Sequence, residues 1–301
     1  MRAATLDRRN FLLGAAGGAL AVVAATACSR VGLGAEPDGG TLLERLRERG
    51  EVRVGFANES PYGFINSEAE LTGESPEVAR VIYQRLGVER LVPIPSEFGA
   101  LISGLKVGLF DMIGAGMSVT PSRCEEVLFT NPHFIAPAAF LVPAGNPQGI
   151  RTFEDVAAKP DFRLGVLIGA VEADYAEASG VPASRITPYA DQPSGLDAVL
   201  TDRVDGFALT TISLKDALSK RQDAPLEITP GFVPIVQGRP EYTAGAFAFL
   251  PDQTNIVNAF NQQLAELKAS GELLRIMAPF GFSQEEMTNL TSAELCSAPA
   301  S

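Results

Sequence analysis

The sequence predicts a mixed α/β protein folded as two lobes about a cleft, on three observations. Apolar runs of strand length alternate with helix-length periodic segments throughout, the pattern of parallel strands joined by helices. The alternation breaks at Pro143-Ala144-Gly145-Asn146-Pro147, where breakers mark a linker, and then restarts in loosely the same order without residue-level repetition. A second breaker cluster, Gln237-Gly238-Arg239-Pro240, precedes one more strand and a long helix. Two α/β lobes joined by crossings at about 142–147 and 237–243 imply a hinged ligand trap.

The elements follow in order. Thr41 stands as an N-cap before Leu42-Leu43-Glu44-Arg45-Leu46, so the folded part should begin there. Val52–Ala57 reads as a strand, Pro76–Leu86 as a helix opened by a proline whose missing N–H costs nothing, and Arg90–Ile94 as a strand. Gly99–Val107 reads as a helix, with Asp111–Gly114 and Ala138–Val142 as the last strands of the first half. In the second half Arg163–Leu167, Ile186–Tyr189 and Asp205–Leu209 are strands. Val171–Ala178, Ser194–Thr201 (capped by Ser194) and Thr211–Lys220 are helices. The strand Ala244–Leu250 precedes an amphipathic helix, Gln253–Ser270, and a short one, Glu272–Ala278. Ile256, Val257, Phe260, Leu264 and Leu267 recur at helical spacing, which makes them core. The expected organisation is lobe 1 from 41–142 and 244–291, lobe 2 from 143–243, and a tail from 292–301.

Composition removes whole classes of function. Of 301 residues, 46% are hydrophobic and 20% charged, with a formal net charge of −12, one His, three Cys and no Trp. An acidic chain does not suit nucleic acid, whose counterions a basic surface must displace. A single histidine excludes an HExxH zinc centre, and the scattered cysteines supply no CxxC pair. No cofactor or metal is expected.

The first residues read as an address. Arg8-Arg9-Asn10-Phe11-Leu12-Leu13 opens an apolar, Gly/Ala-rich run to Ala27 that is too short for a comfortable spanning helix. Asp7 to Leu13 resembles a twin-arginine export signal, with general secretion as the competing route. Cys28 after Ala25-Thr26-Ala27 resembles the lipobox cysteine of bacterial lipoproteins, although Ala25 stands where Leu or Val is usual; a plain signal peptide is the alternative. Residues 1–27 are then the signal peptide and 28–40 a Gly-rich tether. Without the three Arg and one Asp of residues 1–27, 21 basic and 35 acidic side chains remain, a charge of −14. Export permits disulfides and leaves Cys124 and Cys296 as a possible pair, worth roughly 5 kcal/mol on the chain-entropy model; two free thiols are the alternative.

Candidate chemistry is sparse. Ile113-Gly114-Ala115-Gly116-Met117 starts like a dinucleotide fingerprint but has Val119 where the third glycine belongs. There is no GxSxG elbow. His133 reads as a surface or packing residue, and Glu125-Glu126 as the solvated side of a short helix. What remains lies at strand ends, where α/β sheets place ligands. These loops are Asn58-Glu59-Ser60-Pro61-Tyr62-Gly63-Phe64, Glu97-Phe98-Gly99 and Gly116 to Arg123. Together they suit a small zwitterion, with Arg123 forked onto a carboxylate, Glu59 facing a cationic end, and Tyr62 and Phe98 offering aromatic faces.

Two segments in order resemble the family 3 solute-binding proteins of ABC importers over roughly residues 41–290. Leu71-Thr72-Gly73-Glu74-Ser75-Pro76-Glu77-Val78 is similar to the family's L-x-G-F-x-x-D-[LV] segment, and Gly116 to Arg123 to its G-x-x-x-T-P-x-R segment. The resemblance implies a type II periplasmic-binding-protein-like fold with a discontinuous first lobe and two hinge crossings. Phe56 to Phe64, Asp191-Gln192-Pro193-Ser194-Gly195-Leu196-Asp197, Phe207-Ala208-Leu209-Thr210 and Glu294-Leu295-Cys296-Ser297 look most like the ectoine/hydroxyectoine-binding branch. Amino-acid binders of the family hold the ligand's ammonium with an Asp just after the strand ending at Leu209, where this chain has Thr210-Thr211. Its absence favours a ligand without a primary ammonium, such as the cyclic amidinium carboxylate ectoine. Arg123 would then take the carboxylate and Glu59 the amidinium N–H groups, with Tyr62 and Phe98 as cage walls.

Two departures bear on that reading. Ser118 stands where ectoine binders have an aromatic, and Ala170 follows Gly169 where amino-acid binders have Thr, although backbone N–H groups at that helix start can still meet a carboxylate. Thr211, Gly116, Ser118, Gly169 and Ala170 join the expected ligand-binding set. The resemblance implies a non-enzymatic monomer that partners ABC permease subunits, held at the membrane by its lipid. The alternatives are a polar amino-acid binder and an exported cyclohexadienyl dehydratase-like enzyme with Glu59 as general acid.

Overall fold

The computed structural model describes residues 40–236 and 238–297. The expected leader, Cys28 and nearly all of the tether lie outside the described residues. Helix α1 (Leu42–Arg49) starts at Thr41, whose hydroxyl accepts the Glu44 N–H while the Glu44 carboxylate accepts the Thr41 N–H, a reciprocal cap.

Strand β1 (Glu51–Phe56) leads through a small hairpin, β2 (Phe64–Ile65) and β3 (Leu71–Thr72), into α2 (Glu74–Arg85) and β4 (Arg90–Pro95). A 3-10 turn at Phe98–Ala100 precedes α3 (Leu101–Lys106), β5 (Met112–Ser118), α4 (Pro121–Cys124), β6 (Leu128–Phe129) and β7 (Phe134–Ala136). The chain continues through β8 (Ala138–Pro143), α5 (Phe153–Ala157), β9 (Leu164–Leu167), α6 (Val171–Ala178), β10 (Ile186–Tyr189) and α7 (Gln192–Leu200). Then come β11 (Gly206–Thr210), α8 (Thr211–Ser219), β12 (Leu226–Ile228) and the hairpin β13 (Ile235–Val236) and β14 (Arg239–Pro240). Strand β15 (Thr243–Phe249), α9 (Thr254–Ala269), α10 (Glu272–Met277) and α11 (Ser292–Cys296) complete the described fold.

Two sheets organise these elements into two lobes. The first runs β4-β1-β5-β15-β6, with β7 also on β15; β4, β1 and β5 are parallel and β15 antiparallel to its neighbours. The second runs β10-β9-β11-β8-β12. The strand at 138–143 therefore corrects the sequence reading, which placed it in the first lobe. It pairs antiparallel with β11, Leu141 opposite Phe207, and with β12. Its run of buried apolar residues announces a central strand but carries no information about which sheet it enters. The first crossing is accordingly at Pro137, not at 142–147, and the second at Glu241–Tyr242. The crossings leave the first sheet side by side, Ala136 opposite Thr243.

A second correction concerns α7, which begins at Gln192 and is capped by Asp191, whose carboxylate accepts the Ser194 N–H. Asp191 is the preceding Asx residue at the same start signal, and Ser194 lies within the first turn.

Helices α2 and α9 cover the first sheet. Phe260 makes edge-to-face contacts with Tyr83, Phe247 and Phe249, all buried, and each ring contributes roughly 2–3 kcal/mol through burial. Phe140 and Phe153 play the same part in the second lobe. These cores hold the strand ends, and hence the loops between the lobes, in place.

Candidate functional site

The loop after β1 brings Glu59 and Tyr62 to the cleft. Tyr62 and Gly63 both donate their backbone N–H to the Glu59 carbonyl, which curls the loop and turns both side chains inward. Glu59 is 7% exposed, and its Oε1 accepts the Ser213 hydroxyl at 2.5 Å. Gln192 steadies this contact from α7, donating to the Ser213 carbonyl at 2.7 Å and to the Ser60 carbonyl at 3.2 Å. Burial pushes the Glu59 carboxyl up to about 7, against the Ser213 hydrogen bond, which favours the ionised form.

Tyr62 forms a wall. Its ring stacks on Phe134 with centroids 5.4 Å apart, and its hydroxyl lies 2.6 Å from that of Thr210 in the other lobe. Gly116 on β5 lies against this ring at φ +62°, where a Cβ would come within 2.6 Å of Tyr62 Cδ1. Glycine is required there on both counts.

Arg123 projects from α4, a single turn started by Pro121 and capped by Thr120. Its guanidinium donates from Nη1 to the Ser118 carbonyl at 2.7 Å and from Nη2 to the Gly169 carbonyl at 2.8 Å, and lies over the Phe98 ring at 5.6 Å. Two hydrogen bonds and a cation–π contact fix the fork while leaving donors for an anion. The next residue, Cys124, is disulfide-bonded to Cys296, Cα atoms 5.7 Å apart, which ties α4 to α11.

These side chains line one pocket between the lobes. Of the residues singled out in the sequence, Glu59, Tyr62, Phe98, Gly116, Ser118, Arg123 and Ala170 line it. Gly169 and Thr211 do not. The Gly169 carbonyl serves Arg123 instead, and the Thr211 N–H donates to the Pro137 carbonyl, so the pocket position falls to Thr210. Strand ends alternate faces, so a shift of one residue decides which threonine points inward.

The sequence reading missed Glu172. It lies in the first turn of α6, lines the same pocket and is 2% exposed. Burial first, with the charge of Glu59 beside it, raises its carboxyl to about 7 against a backbone hydrogen bond and Arg123. Acidic residues are common in a helix's first turn for electrostatic reasons, so its type and position gave no sign of a pocket role. Leu167, Val171 and Leu209 add aliphatic surface to the lining. Among the described residues no His, Cys, Asp and Glu are grouped to hold a metal, and no helix is long and apolar enough to cross a membrane.

The pocket brings together a guanidinium, carboxylates and aromatic rings, groups that can pair with both charges of a small molecule. The model of the bacterial extracellular solute-binding proteins, family 3, matches residues 52–283. A probable amino-acid ABC transporter periplasmic-binding protein, y4tE, of Sinorhizobium fredii is 31% identical over 270 residues, which is 88% of this chain and 89% of that one. The crystal structure of EhuB in complex with hydroxyectoine superimposes with a TM-score of 0.79 at 36% identity, covering 85% of this chain and 98% of the other. An ancestral arginine-binding protein bound to arginine gives 0.66 at 25% identity, covering 78% and 99%. The chain belongs to the family 3 bacterial extracellular solute-binding proteins, and its fold is the two-lobed type II periplasmic-binding-protein fold.

Proposed function

We propose that this family 3 solute-binding protein captures a compatible-solute zwitterion, ectoine or hydroxyectoine, by closing its lobes on it, and hands it to an ABC permease without transforming it. The observation that carries the reading is Arg123 and Glu59 in one pocket walled by Tyr62 and Phe98. The guanidinium takes the ligand carboxylate, Glu59 the amidinium N–H groups, and the rings the delocalised charge between them. Thr210 and Thr211 at the end of β11 offer no carboxylate for a primary ammonium. The likeness to EhuB supports the ligand class. Work outside the cytoplasm follows from the family. The twin-arginine-like leader and a lipid on Cys28 belong to the same proposal, with a monomer as the working form.

Titration calorimetry of the purified protein with ectoine, hydroxyectoine, L-arginine, L-histidine and L-glutamine tests it. Saturable heat with the two cyclic solutes supports the reading, whereas no heat with either and saturation by an amino acid overturns it. Incubation with prephenate or arogenate, followed for aromatic product, tests the enzymatic alternative.

A further inference from the structure

The pocket holds one more charge than a zwitterion needs. Arg123 answers a ligand carboxylate and Glu59 answers a cationic end, which leaves Glu172 lining the same pocket. Glu59 comes from the first lobe and shares its Oε1 with the Ser213 hydroxyl. Glu172 comes from the second lobe, and among the described residues no other residue hydrogen-bonds its carboxylate. The side chain lines the pocket and is 2% exposed, and a buried polar group needs a partner there.

Accepting the zwitterion reading above, we propose that Glu172 is a ligand-contacting residue that takes up a proton from solvent when the lobes close and donates it as a hydrogen bond to an oxygen of the bound solute. Closing on a zwitterion with Arg123, Glu59 and Glu172 all ionised would bury a net negative charge, and one proton on Glu172 removes it. The groups facing Glu172 decide which carboxyl keeps the proton. Glu59 and Tyr62 face it from the first lobe, Arg123 from α4, and Asp174 and Tyr175 from its own helix. A cation at Glu59 holds that group ionised, and the ionised Glu59 then presses Glu172 toward the neutral form. With both carboxyls near 7 in the ligand-free pocket, pH 8 separates them, because Glu59 is by then mostly ionised and has little to release.

The experiment is calorimetry with hydroxyectoine at pH 8 in two buffers of different ionisation enthalpy, repeated from pH 7 to 9 on the wild type and on Glu172→Gln, which keeps an N–H donor without a charge. The expected result is uptake of close to one proton by the wild type, with Kd rising several-fold, up to tenfold, per pH unit, and a variant that takes up none and whose Kd is flat with pH. Binding without proton uptake in either protein overturns the role of Glu172 and leaves the zwitterion reading intact. No binding of hydroxyectoine or ectoine by the wild type, with saturation by the net-cationic L-arginine and no proton uptake, overturns the zwitterion reading itself.

Discussion

His133 Nε2 lies 2.9 Å from Glu74 Oε2, and neither side chain has any exposed surface. The imidazole stacks on Phe247 with centroids 4.7 Å apart and planes 8° from parallel. The other Glu74 oxygen accepts the Ser75 hydroxyl at 2.5 Å, and the Ser75 Oγ in turn accepts the Gly116 N–H at 3.0 Å. The only histidine in the chain thus ends a hydrogen-bonded line that runs beneath the pocket wall to Gly116. Of the two readings of the lone histidine, surface or packing, the structure selects packing, and it packs as half of a buried polar pair.

Breaking that pair should be costly. Glu74→Ala leaves the imidazole without its hydrogen-bond partner in an apolar setting, and about 1–3 kcal/mol of stability is expected to go. Glu74→Gln should lose less. Urea unfolding followed by far-UV circular dichroism checks both, with unchanged m-values showing that the native fold is retained.

Arg123→Ala should reduce affinity for any carboxylate solute at least a hundredfold, about 3 kcal/mol, because the fork pairs with charge in a desolvated site. Arg123→Lys should rescue little of it. An ammonium cannot hold the Ser118 and Gly169 carbonyls and lie over Phe98 while also gripping a ligand. Calorimetry with the solute that saturates the wild type reads both losses.

Reduction of Cys124–Cys296 should raise the mass by two protons and lower stability by about 2–5 kcal/mol. Because Cys124 adjoins Arg123 on α4, affinity should fall as well. A Cys124→Ser, Cys296→Ser protein that lost stability with unaltered affinity would show α4 to be held by Thr120 and the chain around it alone.

The carboxyls impose opposite pH slopes. Burial would raise Asp111, but hydrogen bonds from the Arg53 side chain and backbone, with the Arg49 and Arg53 charges, hold it below its ordinary value of 3.8. Its stabilisation is therefore present above that value and lost as pH falls through the lowered one. Glu59, raised to about 7, works the other way, with its contribution fully present below 4.5 and lost as pH rises through 7. Thermal melts of the ligand-free protein should show Asp111→Asn destabilised by about 2 kcal/mol at pH 7, with the gap closing in acid. They should show Glu59→Gln gaining on the wild type between pH 5 and 8.

Much of this was legible in the sequence because it depends on local chemistry. The limits of α6 and β10 fall where apolar periodicity and breakers put them, and three strand-end loops carried Glu59, Tyr62, Phe98 and Arg123 to one pocket. What was hidden depends on partners distant in the chain. Strand β8 looks the same whichever sheet it joins, and only pairing with β11 and β12 assigns it to the second lobe. Thr210 and Thr211 are distinguishable only by facing. Glu172 was concealed by ordinariness, since an acidic residue in a helix's first turn is explained by the helix alone until a second lobe covers it.

Gly99 and Gly169 meet across the cleft with no side chain between them, and a Cβ built on Gly169 would lie 2.5 Å from the Gly99 Cα. Bare backbone is the thinnest stop a hinge can have, so the jaw travels as far as a polypeptide allows. At Gly99 an added Cβ would come within 3.0 Å of Ile168 Cγ2, which makes that position a seat for shims of graded thickness. Alanine and then valine there would press on Ile168, and whatever Ile168 cannot yield the jaw must. The rate at which a captive escapes would then be set by one residue that never touches it.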